Sequence, residues 1–164
     1  MSEDVYWDAC AWLGLINAEH GKVGPLEYFF GLAKRGQCKI WTSTVSYVEV
    51  FHLAGEVRPF PKDGLDEIKE TFEQDFVNLI PLDMLVGRKA RGLRRSHAGL
   101  NAADAIHLAS ALVQDITPLH TWDGTHLLPH DNNLTCRNGQ QLRICRPEIP
   151  PPAPGTTGSL FEGT

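Results

Sequence analysis

Four carboxylates are placed where chemistry is easiest to assemble: Asp8, Glu49, Asp104 and Asp123. Asp8 ends the strand-like run Val5-Tyr6-Trp7, and Asp123 ends another from Pro118 to Trp122; each precedes a segment of different character. Either acid alone is explained by capping a helix, since a short carboxylate accepts free backbone N–H groups. Asp104, three residues after Asn101, is explained by the helix dipole. Glu49 is harder to dismiss, because Val45, Val48 and Leu53 share its helical face. Asp104 has the same difficulty, with Leu100, Leu108 and Ala111 on its stripe while Asn101, Ser110 and Gln114 lie away from it. A buried lone carboxylate is costly. No Lys or Arg stands at helical spacing from either acid, so compensation must come from distant side chains, water or a bound cation. Four gathered carboxylates, with no Cys or His among them, favour Mg²⁺ or Mn²⁺ over zinc. Such an ion lowers the pKa of a bound water and stabilises charge developing on phosphorus oxygens, so no nucleophilic side chain is required.

The elements that must bring these acids together are legible from periodicity. After the first strand, Ala9 to Ala18 reads as a helix stopping near Gly21. A second helix follows Gly24-Pro25 through Leu26, Phe29, Phe30 and Ala33 and closes at Gly36. Lys39 to Thr42 reads as a strand; Ser43 or Thr44 then caps a helix carrying Glu49, Phe51 and His52 to Gly55. Pro59 and Pro61 mark a loop, Asp66 to Phe76 has helical spacing, Leu79 to Leu82 is a strand, and Leu85 to Ser96 is a strongly basic helix. Asn101 caps a helix from Ala102 to Val113, and a last hairpin turns at Asn138-Gly139 before a strand from Leu142 to Arg146. Alternating strands and helices predict an α/β fold with a mostly parallel sheet covered on both faces, which binds ligands beyond the carboxyl ends of its strands. Asp8 and Asp123 then meet at adjacent carboxyl edges, with Glu49 and Asp104 reaching in from helix starts.

With 164 residues, 42% hydrophobic and 21% charged, the chain can bury one core but not two. The domain is expected over residues 1–146, followed by a Pro/Gly-rich tail over 147–164 that cannot pack a core and is expected to be disordered or extended. A net charge of −5 argues against nucleic-acid binding through bulk electrostatics, an objection that weakens if the acids surround metal. No run is long and apolar enough for a bilayer and the start is not a signal peptide, so a soluble, cytoplasmic protein without a membrane partner is expected. Cys10, Cys38, Cys136 and Cys145 form no CxxC pair and read as reduced thiols; an Asn138-Gly139 turn would set Cys136 opposite Gln141 and not opposite Cys145.

The segments VYWDACAWLGLI, TSTVSYVEVF, LNAADAIHLASAL and HTWDGTHL stand in the order and at about the intervals of the PIN domain, and within it the chain resembles the VapC-type toxin ribonucleases of prokaryotes. The resemblance spans nearly the whole expected domain. It implies a PIN-like three-layer sandwich, with Asp8, Glu49, Asp104 and Asp123 as catalytic metal ligands, directly or through water. It further implies that Ser43 and Thr121 supply hydroxyls that orient the acids or substrate. The activity it implies is endonucleolytic cleavage of RNA by metal-activated water, leaving a 5′-phosphate and a 3′-hydroxyl. A toxin of this type II toxin–antitoxin class would have a cognate antitoxin and form a homodimer. Ala9 and Cys10 depart from relatives that often carry Ser or Thr after the first acid.

Arg88, Lys89, Arg91, Arg94 and Arg95, with His97, line the helix leading to Asp104 and are a candidate track for RNA phosphates; a solvated helix face explains them equally. His120, His126 and His130 fit no standard zinc spacing and read as structural or surface residues, and His107 as a packing or hydrogen-bonding residue one turn after Asp104. Trp7, Trp12, Phe29, Phe30 and Trp41 read as core or dimer contact. An aspartyl phosphatase would need a second acid where Cys10 stands. A housekeeping RNA-processing nuclease and a non-catalytic PIN-like binding module are the remaining alternatives, the latter disfavoured by retention of all four acids.

Overall fold

A computed structural model describes residues 3–152. Five strands form one sheet: β1 (Val5–Trp7), β2 (Ile40–Ser43), β3 (Val77–Ile80), β4 (Leu119–His120) and β5 (Ile144–Cys145). Their order is β3-β2-β1-β4-β5, and every pairing is parallel. Six α-helices connect them: α1 (Ala9–Ile16), α2 (Val23–Lys34), α3 (Ser46–Glu49), α4 (Lys62–Phe72), α5 (Met84–Ser96) and α6 (Ala102–Gln114). None is long and apolar enough to cross a membrane.

The strand period of two assigns the layers. Val5 and Trp7 of β1 point into a core with Trp12 of α1, Leu26 of α2 and Phe72 of α4, while Tyr6 between them joins α5 and α6 on the opposite face. Both faces are therefore covered, as an all-parallel sheet requires, and the expected three-layer α/β architecture is observed. The chain lays β1, β2 and β3 outward in one direction and then returns to add β4 and β5 on the other side of β1. The switch point lies between β1 and β4, and in open α/β sheets the crevice at that point, beyond the carboxyl ends, is where ligands bind. Register pairs Trp7 with His120, so the next residues, Asp8 and Thr121, are neighbours across it.

Several boundaries differ from expectation. The helix after β2 is one turn, Ser46–Glu49, and the chain leaves it at Val50; Val48 is 73% exposed, so the apolar face inferred around Glu49 does not exist there. Glu49 ends a helix and does not begin one. α4 starts directly after Pro61 and β3 begins two residues earlier than the apolar run suggested. Ser110 is fully buried because α6 is enclosed on nearly all sides, which a one-faced reading of its pattern missed. The terminal hairpin bridges Thr135 with Gln141, one residue off the expected register. Its turn takes three residues, with Gly139 in the left-handed region at φ +88° and Oδ1 of Asn138 accepting the amide of Gln140. The chain then continues into β5, which pairs parallel to β4. None of the four cysteines is in a disulfide. Of the expected tail, Pro147 is buried and 148–152 are exposed without helix or strand; residues 153–164 lie outside the described residues.

Candidate metal centre

Asp8 leaves β1 in extended conformation and caps α1, Oδ1 accepting the Ala11 amide at 3.0 Å. Its Oδ2 accepts the hydroxyl of Thr121 at 2.5 Å, and the oxygen of that hydroxyl accepts the amide of Asp123 at 3.0 Å. One threonine thus ties the end of β1 to the end of β4. Asp123 is held by its own loop: Oδ1 accepts the amides of Thr125 and His126 at 2.9 and 2.8 Å. The cap that explains Asp8 structurally is therefore present.

Asp104 is placed by the start of α6. Asn101 caps the helix by accepting the Asp104 amide at 2.9 Å, and its Nδ2 donates back to Oδ2 of Asp104 at 2.5 Å. This arrangement sets the carboxylate toward the β4 loop, where Nδ1 of His126 lies 3.8 Å from Asp104 and 3.3 Å from Asp123. Asp104, Asp123 and His126 each offer a ligand atom within 4.8 Å of the others.

Glu49 enters from the opposite side through a relay. Its Oε2 accepts from Nε2 of His107 at 2.7 Å, and Nδ1 of His107 meets the Tyr6 hydroxyl at 2.8 Å. A carboxylate only accepts, so His107 carries a proton on Nε2, and in the neutral ring Nδ1 then accepts from Tyr6. Burial holds the Tyr6 hydroxyl well above its usual range and keeps it a donor; its oxygen accepts the Ser43 amide at 3.1 Å. Only the main-chain amide of Ser43 meets this relay, at Tyr6; its hydroxyl, expected to orient the acids or substrate, accepts the Val45 amide.

The electrostatics are those of crowded, under-compensated acids. Burial raises Asp8 to about 6, with Glu49 adding to the rise and His107 and the bonds from Thr121 and Ala11 opposing it. Burial and the neighbouring charge of Asp123 raise Asp104, Glu49 adding to it. Cys10, beside Asp8, is pushed up to about 12 by burial and then by that acid. Among the described residues no Lys or Arg forms an ion pair with any of the four acids; histidines are their only basic partners. Carboxylates that repel one another and have no Lys or Arg beside them fit a divalent cation; the imidazole of His126 in the set departs from the all-carboxylate ligation expected from sequence and is a softer donor. Asp104, Asp123 and His126 would hold the cation, with Asp8 joined through Thr121; Glu49 stays bonded to His107 and reaches the cluster only through its charge.

His126 is the participant that sequence reasoning set aside. The signal was present in its spacing, three residues after Asp123 in the same turn, but only the loop's hydrogen bonds bring its ring back to the acid. His120 is structural as expected: its Nδ1 accepts from Nε1 of Trp7 at 3.3 Å, and burial lowers it to about 4. The basic residues of α5 divide. Arg91, Arg94 and Arg95 line a groove of about 550 Å³ toward the α5–α6 turn, whereas Arg88 and Lys89 line a separate one of about 490 Å³ with Arg137.

The PIN-domain family model matches residues 5–126, a span that includes all four acids. The chain belongs to the PIN-domain family. Solved structures of similar fold include VapC20 of Mycobacterium tuberculosis, a sarcin–ricin loop cleaving toxin, at 14% identity and TM-score 0.56 over 74% of this chain and 92% of that one. A toxin–antitoxin complex from Klebsiella pneumoniae matches at 17% identity and TM-score 0.54 over 74% and 88%. VapBC2 of Rickettsia felis, bound to a DNA fragment of its promoter, matches at 12% identity and TM-score 0.56 over 87% and 97%. No curated protein matches the chain. The PIN sheet places Asp8 and Asp123 on either side of its switch point, which explains why residues 115 apart in the sequence bond to one threonine.

Proposed function

We propose that this PIN domain is a Mg²⁺- or Mn²⁺-dependent endoribonuclease, with Asp8, Glu49, Asp104 and Asp123 as its catalytic acids. The observation that carries the reading is the meeting of Asp104 and Asp123 with His126 at the carboxyl edge of the sheet, with Asp8 tied to Asp123 through Thr121 and the charge of Glu49 near enough to add to the burial that raises both Asp8 and Asp104. A cation held there lowers the pKa of a bound water and offsets charge on the phosphoryl oxygens. Asp104 and Asp123 supply the donors, and Thr121 and Asn101 fix their directions. His107 holds Glu49, with Tyr6 behind it bonded to the main-chain amide of Ser43. The guanidinium groups of Arg91 and Arg95 hold the RNA backbone, with Arg94 anchoring the turn beside them, while Arg88 and Lys89 border a separate groove.

The biological role supported by the likeness to VapC-containing structures is that of a cytoplasmic type II toxin, acting as a homodimer and restrained by an antitoxin protein. A neighbouring reading frame should then encode the inhibitor, expression alone should arrest growth, and sedimentation should give a dimer. Purified protein that cleaves RNA without affecting growth on expression would instead mark a housekeeping processing nuclease.

The test is cleavage of a fluorogenic RNA with Mn²⁺ or Mg²⁺, with and without chelator. Metal-dependent cleavage lost in both Asp8→Asn and Asp104→Asn supports the reading. Chelator-resistant cleavage, or full activity in either variant, rejects it.

A further inference from the structure

Two cavities meet beside the metal centre. The smaller, about 240 Å³, contains His126 and His130; the larger, about 550 Å³, contains Arg91, Arg95 and His97. Gly99 and Leu100 line both, so the two are contiguous at the turn between α5 and α6. His97 and His130 stand across this junction with ring centroids 4.7 Å apart and planes at 74°. Gly99 turns the chain there at φ +86°, in the left-handed region, and faces open space.

We propose that this path carries the substrate strand: single-stranded RNA leaving the metal centre at His126 stacks a nucleobase on the His97–His130 pair and lays its following phosphates on Arg91 and Arg95. The proposal rests on the ribonuclease reading and adds a substrate-positioning subsite to it. Charge argues for the occupant. The chain carries a net −5, yet one wall of this path concentrates three guanidinium groups, whose planar forks match phosphate. Imidazole rings are among the surfaces on which splayed bases stack, and the apolar Leu82 and Ile106 in the same groove suit base faces. A base paired in a duplex cannot reach a ring in this way, so the strand must be unpaired at the pair.

Affinity for a fluorescein-labelled single-stranded oligoribonucleotide is measured by anisotropy in the full chain carrying Asp104→Asn, and cleavage kinetics are measured without that change. His97→Ala with His130→Ala should weaken binding roughly five- to tenfold, the cost of one lost base stack, with the kinetic loss falling on KM and not kcat. His97→Phe with His130→Phe should restore binding, because phenyl rings stack but lack the imidazole nitrogens; thermal melting of each variant checks folding. Unchanged affinity in the alanine pair, a loss confined to kcat, or a phenylalanine pair as weak as the alanine pair overturns the subsite. So does binding of an acidic peptide that the alanine pair abolishes while RNA affinity stays intact. Wild type that neither binds nor cleaves RNA removes the ribonuclease reading itself, whereas active wild type indifferent to the pair removes only this proposal.

Discussion

Thr121 donates its hydroxyl to the buried carboxylate of Asp8 at 2.5 Å and, through the same oxygen, accepts the amide of Asp123 at 3.0 Å. Both partners belong to the crevice between β1 and β4, so this hydroxyl sets the spacing of two acids from opposite ends of the chain. Thr121→Val keeps the shape but leaves a buried carboxylate oxygen and an amide without partners. Urea unfolding should show a loss of about 1–3 kcal/mol, and RNA cleavage should fall with it, while Thr121→Ser retains most of both. Valine matching the wild type would show that the hydroxyl positions nothing.

A second prediction concerns pH. Asp8 is raised from 3.8 to about 6, so between those values the folded protein binds a proton that the unfolded chain has released, and stability falls as pH rises. At about 1.4 kcal/mol for each tenfold, the loss has a ceiling of ~3 kcal/mol. His120 runs the other way: lowered from 6.5 to about 4, it is neutral in the fold where the unfolded chain is protonated, and stability is gained as pH rises through the same window. The two contributions largely cancel. Asp8→Asn removes one of them, so in chelator its stability should climb by up to ~3 kcal/mol more than wild type between pH 4 and 6.5, although the variant is inactive. Parallel pH profiles for the two proteins would contradict the buried charge assigned to Asp8.

How far the sequence could be read depended on whether a feature was local. The run Val5 to Trp7, the cap at Asn101 and the helix starting at Ala102 were legible because periodicity and capping are written in adjacent residues. Parallel pairing of β1 with β4 followed from alternation of elements. The role of Glu49 was reached through an apolar face that is absent, since Val48 is exposed; the residue is held instead by His107, 58 positions away. His126 and the division of the α5 cations were hidden for the same reason, being set by how a loop folds back and which wall of a helix borders each groove.

The relay from Tyr6 through His107 to Glu49 fixes a tautomer. Long-range ¹H–¹⁵N correlations should show the His107 proton on Nε2. Tyr6→Phe removes the donor to Nδ1 and should lower cleavage on the order of tenfold, as loss of groups that orient site carboxylates does. A wild-type ring protonated on Nδ1 alone would break the assigned chain of donors.

The two grooves along α5 separate its charges by function. If the strand follows the Arg91 side, Arg91→Ala with Arg95→Ala should reduce the slope of log affinity against log salt by up to about 1.4 for single-stranded RNA, at about 0.7 for each phosphate contact. Arg88→Ala with Lys89→Ala should leave that slope nearly intact. Equal slopes for the two pairs would mean that both walls, or neither, meet the backbone. Arg94 is left in place here because its Nε donates to the Leu100 carbonyl at 3.2 Å and anchors the turn.

Titration of Mn²⁺ into the purified protein, followed by the electron paramagnetic resonance signal of the free ion, tests the central claim most directly. The account predicts saturable uptake near neutral pH that disappears when Asp104→Asn and Asp123→Asn are combined. Uptake undiminished in that double variant, or none in the wild type, would contradict it.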